Sequence, residues 1–332
     1  MDNLDYIFVK DMHLSFSFRN RIRRHGWERH IDDKLNQIIR YMKDNNITYL
    51  FTAGDIFDRS KRKDWSFSQF QANKARLQKF KDAGIVLYSN LGNHDTMDGY
   101  EYVQGTVFGE MVELGLINYI GSSMPPVVFN TSRATIGLFG IDHHQSDEKV
   151  IDELHRIQAF PNIDIKIALM HSNITDNNTR ITDFTYNQIS EFDIDVINCG
   201  HWHLEPDNGP IQNINGTHFL NPWNMTRVMR DYNVKLDEHK PSFIHGTISM
   251  IGEEPYFKFE EIPLVVEPFS VAFQTEIINL LQDLGKDGFQ FFKEIDLTQD
   301  DELNDDETIL VKIAKANDIS KEAVQIAKDM LI

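Results

Sequence analysis

The chain carries one cysteine, Cys199, in 332 residues. A single thiol excludes an internal disulfide framework and suits a reducing compartment, so a cytoplasmic setting is expected. Cys199 closes the apolar run Val196 to Cys199, where a small buried hydrophobe is a better reading than a nucleophile. Long apolar runs are missing as well. None approaches the roughly 20 residues that cross a bilayer, so no membrane association is expected. No basic leader with a small-residue cleavage site precedes the first strand-like segment, and a secretory signal is not expected. Positive charge is scarce: Lys and Arg total 33 against 51 Asp and Glu, a formal net charge of −18. That balance argues against indiscriminate attraction to polyanions.

What is present is ordinary for a globular protein, with 41% hydrophobic and 25% charged residues. The length allows one large domain or a large domain with a smaller one. The scarce positive charge is concentrated. Arg19, Arg21, Arg23, Arg24 and Arg29 face one acid, Glu28, across eleven residues, and Arg59, Lys61, Arg62 and Lys63 fill four positions of five. A charge run is usually a solvated loop. These two each directly follow a cluster of metal-ligand residues, and phosphate contacts beside a metal site are what a polyanionic substrate needs.

Strand and helix patterns alternate through the first half. Helical spacing over Glu28–Asn46 places Ile31, Leu35, Ile38, Ile39 and Met42 on one face, and a second helix over Ser66–Ala83 places Phe67, Phe70, Leu77 and Phe80 on one stripe. Strands are expected from Val127 to Ile141, a helix over Asp147–Ile157, and a hairpin over Ser242–Pro263 with its turn at Gly252-Glu253-Glu254. The fold class expected is α/β, two facing β-sheets in a sandwich with helices outside. Residues 1–263 read as the main domain and 264–332 as a small C-terminal region. Within it, seven of the twelve residues 296–307 are acidic and read as a linker to two terminal helices.

Five clusters carry the chemistry: Asp11-Met12-His13, Gly54-Asp55, Gly92-Asn93-His94-Asp95, His171, and Gly200-His201-Trp202-His203. Each stands at the downstream end of a short apolar run, where open α/β layers place their sites. Singly, each has an ordinary structural reading; a lone histidine is more often a satisfied side chain. Jointly they argue for a metal centre. The donors Asp11, His13, Asp55, Asn93, His171, His201 and His203 form a mixed N/O set without thiolate, suited to Mn²⁺, Fe²⁺ or Zn²⁺. Seven are too many for one open catalytic ion and fit two divalent ions sharing a carboxylate, with Asp55 the natural bridge. Such a pair serves in-line displacement at phosphorus. His94, beside a ligand, is assigned to protonating the leaving oxygen or stabilising transition-state charge. His143 and His144 follow another strand but match no partner motif and read as peripheral.

Asp-x-His, Gly-Asp, Gly-Asn-His-Asp, a lone His and Gly-His-x-His, in this order over residues 1–263, resemble the calcineurin-like metallophosphoesterase superfamily. Gly54-Asp55-Ile56-Phe57-Asp58 with Gly-Asn-His-Asp is similar to its DNA-repair nuclease branch, which contains SbcD-type subunits and their phage recombination counterparts. Asn221-Pro222-Trp223 and the acidic balance look most like the phage proteins. The resemblance implies Asp11, His13 and His203 with Asp55 at one metal, Asn93, His171 and His201 with Asp55 at the other, and His94 as a catalytic non-ligand. It implies Mn²⁺, DNA as substrate, a partner ATPase of SbcC type with a long coiled coil docked on the C-terminal region, and a homodimer. The function expected is therefore a DNA exonuclease or endonuclease in recombination and repair. A phosphatase or small-molecule phosphodiesterase is the alternative, and a non-catalytic scaffold is disfavoured by the intact ligand set. Two positions depart from the pattern. Asp58 stands where many cellular members carry histidine, and Lys10 replaces a small polar residue, which implies altered phosphate contacts near the first Asp.

Overall fold

A computed structural model describes residues 2–14, 28–97, 103–144, 146–175, 183–203, 208–225 and 239–273, with positions 275 and 279. The chain divides into two compact units. The first, Met1–Ser15, Glu28–Arg227 and His239–Val266, contains both large sheets.

The first sheet begins with β1 (Asn3–Phe8), followed by helix α1 (Glu28–Asp44), β2 (Tyr49–Thr52), helix α2 (Phe67–Asp82) and β3 (Val86–Ser89). Helix α3 (Val107–Glu113) leads to the short β4 (Asn118–Tyr119). Strands β1, β2, β3 and β4 are parallel neighbours. The second sheet takes β5 (Val127–Asn130), β6 (Thr135–Ile141), helix α4 (Asp147–Gln158) and β7 (Ile165–His171). A two-stranded ribbon, β8 (Ile174–Thr175) with β9 (Phe184–Thr185), and the one-turn α5 (Tyr186–Ile189) precede β10 (Val196–Gly200), β11 (Ile211–Ile214) and β12 (Thr217–Leu220). The hairpin β13 (Ser242–Ile251) and β14 (Glu254–Pro263) returns to the first sheet, giving the order β14-β13-β1-β2-β3-β4 beside β11-β12-β10-β7-β6-β5. The described residues of the second unit include the one-turn helix α6 (Phe269–Ala272).

The two sheets face each other through one core. Leu4, Tyr6, Phe8, Phe51 and Ile244 from the first pack with Ile136, Leu138, Ile167, Leu169 and Val196 from the second. Strand β7 is buried at all seven positions, as expected of a central parallel strand covered on both faces. Its alternate residues, Ala168 and Met170, join Val150, Leu154 and Ile157 of α4 in an outer layer. On the other sheet, Tyr41 of α1 meets Phe243 edge-on at 5.1 Å. The expected α/β class with two facing sheets and outer helices is thus observed.

Helix α1 buries Ile31, Leu35, Ile38 and Met42 at helical spacing, and α2 is opened by a Ser66–Gln69 capping box. One expected core residue is corrected. Phe67 is 73% exposed, because it is the first residue of α2 and helical side chains lean toward the N-terminus, here past the helix end. At the hairpin tip, pairing with β1 stops at Asn3 opposite Ser249, so Ile251 extends past β1 on a two-stranded end and Tyr256, opposite Ser249, lies on the edge strand β14; both are exposed.

Candidate metal centre

Five parallel strands end at one place. Beyond β1 come Asp11 and His13, beyond β2 Asp55, and beyond β3 Asn93 and His94; His171 ends β7, and His201 and His203 follow β10. The backbone turns sharply there: Asp11, His13, Asp55 and His201 have φ of +43°, +42°, +49° and +80°, a left-handed geometry uncommon for residues with a Cβ. His13 N–H donates to the Asp55 carbonyl at 3.0 Å, stitching the first two loops. Two glycines permit the close approach. A Cβ at Gly92 would lie 2.1 Å from Asp55 Oδ1, and one at Gly200 would lie 2.1 Å from the Ala53 carbonyl oxygen.

The donors form two groups around one oxygen. Asp55 Oδ2 is buried with no hydrogen-bond partner among the described residues. It lies 3.6 Å from His13 Nε2 and 3.4 Å from His171 Nε2. On the first side, His13 Nε2 and His203 Nε2 are 2.8 Å apart, and Asp11 Oδ2 is 3.6 Å from His203 Nε2. On the second, His171 Nε2 is 3.1 Å from both Asn93 Oδ1 and His201 Nδ1. His171 Nδ1 donates to the Ala53 carbonyl at 2.6 Å, so its Nε2 keeps a lone pair directed at the cluster. All seven residues named from the sequence are therefore brought together.

Electrostatics follow from this crowding. Burial opposes the Asp55 charge, yet His171, His94 and His13 hold its carboxyl well below the usual range. Burial raises Asp11, partly opposed by His171. His171 is driven down by burial, but Asp55, Asp11 and the Ala53 carbonyl lift it to about 9. Asp95 is pushed up to about 8, first by burial and then by Asp55. Its oxygens accept from the Phe57 and Gly92 amides at 3.2 and 3.1 Å, which makes it a brace for the Asp55 and Asn93 loops.

His94 is anchored twice: its amide donates to Asp55 Oδ1 at 2.9 Å, and its Nδ1 donates to the Asp58 carbonyl at 2.9 Å. Asp58 enters the sequence reading only as a departure from the family pattern. The structure places its carboxylate 3.5 Å from His13 Nδ1 and 3.9 Å from His94 Nδ1. His143, peripheral by its sequence, borders the site, its ring 5.3 Å from His201 and 5.8 Å from His171. Burial and His171 lower its pKa to about 4. Lys10 is corrected outright. It is fully buried and donates to the Trp202 carbonyl and Asn221 Oδ1, so it offers nothing to a phosphate.

Of the basic positions, Arg19, Arg21, Arg23 and Arg24 lie outside the described residues. Arg59, Lys61, Arg62 and Lys63 follow Asp58 in a loop with a one-turn 3-10 helix at Arg62–Asp64. Arg62 is engaged locally: its guanidinium lies 4.2 Å from the Phe70 ring centre, donates to the Trp65 carbonyl and sits 3.7 Å from Glu110. Lys63 is exposed.

The residues fit a divalent metal pair. A buried unpartnered carboxylate oxygen lies between two pairs of imidazole nitrogens at hydrogen-bond separation, and His13–Asp55–His203 and Asp55–His171–His201 each bring three donor atoms within 4.8 Å. The family model described as calcineurin-like phosphoesterase matches residues 8–205. No curated protein sequence matches the chain. Among solved structures, a 5'-nucleotidase precursor from Thermus thermophilus is similar at 10% identity and a TM-score of 0.48, over 85% of this chain and 58% of that one. This chain therefore spans under two thirds of that protein's length. A dimetal phosphatase from Danio rerio is similar at 11% identity and a TM-score of 0.43, over 80% of this chain and 99% of that one.

Proposed function

Because this chain belongs to the calcineurin-like phosphoesterase family, we propose that it is a Mn²⁺-dependent DNA phosphodiesterase, an exonuclease or endonuclease of recombination and repair. The observation that carries the hydrolytic part is Asp55 Oδ2, buried without a hydrogen bond between His13 Nε2 and His171 Nε2. Asp11, His13 and His203 would hold one ion and Asn93, His171 and His201 the other, with Asp55 shared. Bound there, the ions supply Lewis-acid activation of water and of the phosphoryl oxygens. The rest falls to the chain. With Nδ1 committed to the Asp58 carbonyl, His94 presents Nε2 to the substrate, and a proton on that atom is delivered to the leaving oxygen. Burial, the largest influence, and His13 hold the His94 pKa below its ordinary value, against the opposing pull of the Asp55 and Asp58 carboxylates.

DNA is favoured by the position in the sequence of two basic clusters, each just after metal-ligand residues, in an acidic chain. Residues 264–332, mostly outside the described set, are assigned to docking a coiled-coil ATPase of SbcC type, and the catalytic unit to a homodimer. The engagement of Arg62 with Phe70 and Glu110 weakens one loop as a phosphate-binding surface and supports a second reading, a phosphatase or small-molecule phosphodiesterase. Purified protein with Mn²⁺, given end-labelled duplex and single-stranded DNA beside p-nitrophenyl phosphate and cyclic nucleotides, decides between them. Degradation of DNA is expected; turnover of the small esters alone would overturn the nuclease reading. Truncation before Asp305 is expected to keep phosphodiesterase activity and lose ATPase association in a pull-down.

A further inference from the structure

Lys10 stands out because it is a fully buried ammonium that donates to a backbone carbonyl. That carbonyl belongs to Trp202, the residue between His201 and His203. The second acceptor is Asn221 Oδ1, from the segment just beyond β12. Asn221 is itself fixed: its amide N–H donates to the Pro210 carbonyl at 2.7 Å, and its side-chain nitrogen to the Tyr186 hydroxyl at 3.3 Å.

The adjacent residue completes the arrangement. Both carboxylate oxygens of Asp11 accept from the His201 amide N–H at 3.1 Å. Two consecutive residues of opposite charge therefore grip opposite poles of one short turn, the acid on its N–H and the ammonium on its C=O. Charge-assisted bonds of this kind are the stronger sort. The turn they grip carries one histidine of each metal group.

We propose that Lys10 is a positioning residue for the metal pair: through the Trp202 carbonyl it sets the turn that presents His201 to one ion and His203 to the other. The role rests on the two-metal reading above and adds a residue that touches neither metal nor substrate. Removing the ammonium takes the charged donor from the half-buried Trp202 carbonyl, and the turn relaxes away from Asp11. Both ions then lose affinity together, unlike the one-sided loss expected from altering a ligand that serves a single ion.

The test uses the full chain with Mn²⁺ as probe. Isothermal titration gives affinity and stoichiometry, and electron paramagnetic resonance reads the exchange coupling of two bound Mn²⁺. Lys10→Met removes the donor in similar volume. Lys10→Gln keeps a shorter neutral donor. Supporting groups one step removed from a metal typically matter by about 10- to 100-fold in affinity. The expected result is a loss of that size for Lys10→Met at both binding steps, a smaller loss for Lys10→Gln, and a weakened coupling signal. Affinities within twofold of the parent in either folded variant would overturn the proposal. So would failure of both variants to fold, since that assigns Lys10 to folding. If the parent chain bound no Mn²⁺, the two-metal reading would fall instead, a distinct outcome.

Discussion

The two halves of the centre are built from similar side chains but are held differently. In the half made by Asn93, His171 and His201, the ring of His171 is locked by a 2.6 Å bond to the Ala53 carbonyl. In the half made by Asp11, His13 and His203, His13 Nδ1 has no hydrogen bond among the described residues, and the Asp58 carboxylate stands off at 3.5 Å. One ring is oriented by a backbone carbonyl. The other faces a carboxylate that would accept from it if the opposite nitrogen were engaged by a cation.

Breaking the shared atom should erase the contrast. Asp55→Ala removes the oxygen common to both halves, and phosphodiesterase activity is expected to fall to background with no saturable Mn²⁺ binding by calorimetry. Next in size is His94→Gln, which leaves both halves intact. Turnover should drop by roughly 10²- to 10⁴-fold, the usual worth of a positioned proton donor, while Mn²⁺ stoichiometry is unchanged. Asp58→Asn sharpens the comparison, because it keeps the carbonyl that anchors His94 and deletes the charge that stands 3.5 Å from His13 and 3.9 Å from His94. One of two Mn²⁺ binding steps should weaken by about tenfold or more; equal weakening of both would refute the asymmetry.

The smallest effect concerns pH. In metal-free protein His171 titrates at about 9 against an ordinary value of 6.5. A raised pKa means that the stability contributed by the protonated ring is complete below 6.5 and is lost as pH climbs through about 9. Chelated protein should therefore show a Tm falling by a few degrees across that interval, and Mn²⁺ affinity should rise over it as the competing proton leaves. Scanning calorimetry with and without chelator checks both. A flat Tm in the chelated sample would contradict the assigned charge state.

The strand ends were legible because apolar runs and metal-ligand clusters are both local signals. The periodic faces of α1 and α4 were legible for the same reason. Phe67 was misread because periodicity reports a face but not where the facing layer stops. Lys10 and Asp58 were beyond the sequence for a different reason. The role of Lys10 is defined by Trp202 and Asn221, 192 and 211 residues away. Asp58 anchors His94 through its carbonyl, which carries no residue-specific signal, and its carboxylate meets the His13 ring only through the fold. His143 matched no motif, and its place beside His201 follows from the packing of β6 next to β7.

Among the described residues, eight that are not glycine have left-handed backbone: Asn46, Ser123, Asn162 and Asn215, and the four Asp11, His13, Asp55 and His201. Asparagine tolerates that region comparatively well and serine is a common turn residue, so the first four need no special account. Aspartate shares some of that tolerance, but these four residues gather at one place, and each offers a donor atom there. At each of them glycine would relax the main chain while deleting the donor. Shape and chemistry thus pull in opposite directions at the same four positions, and a variant library selected only for heat resistance should drift toward glycine there, losing its cation as it becomes hardier.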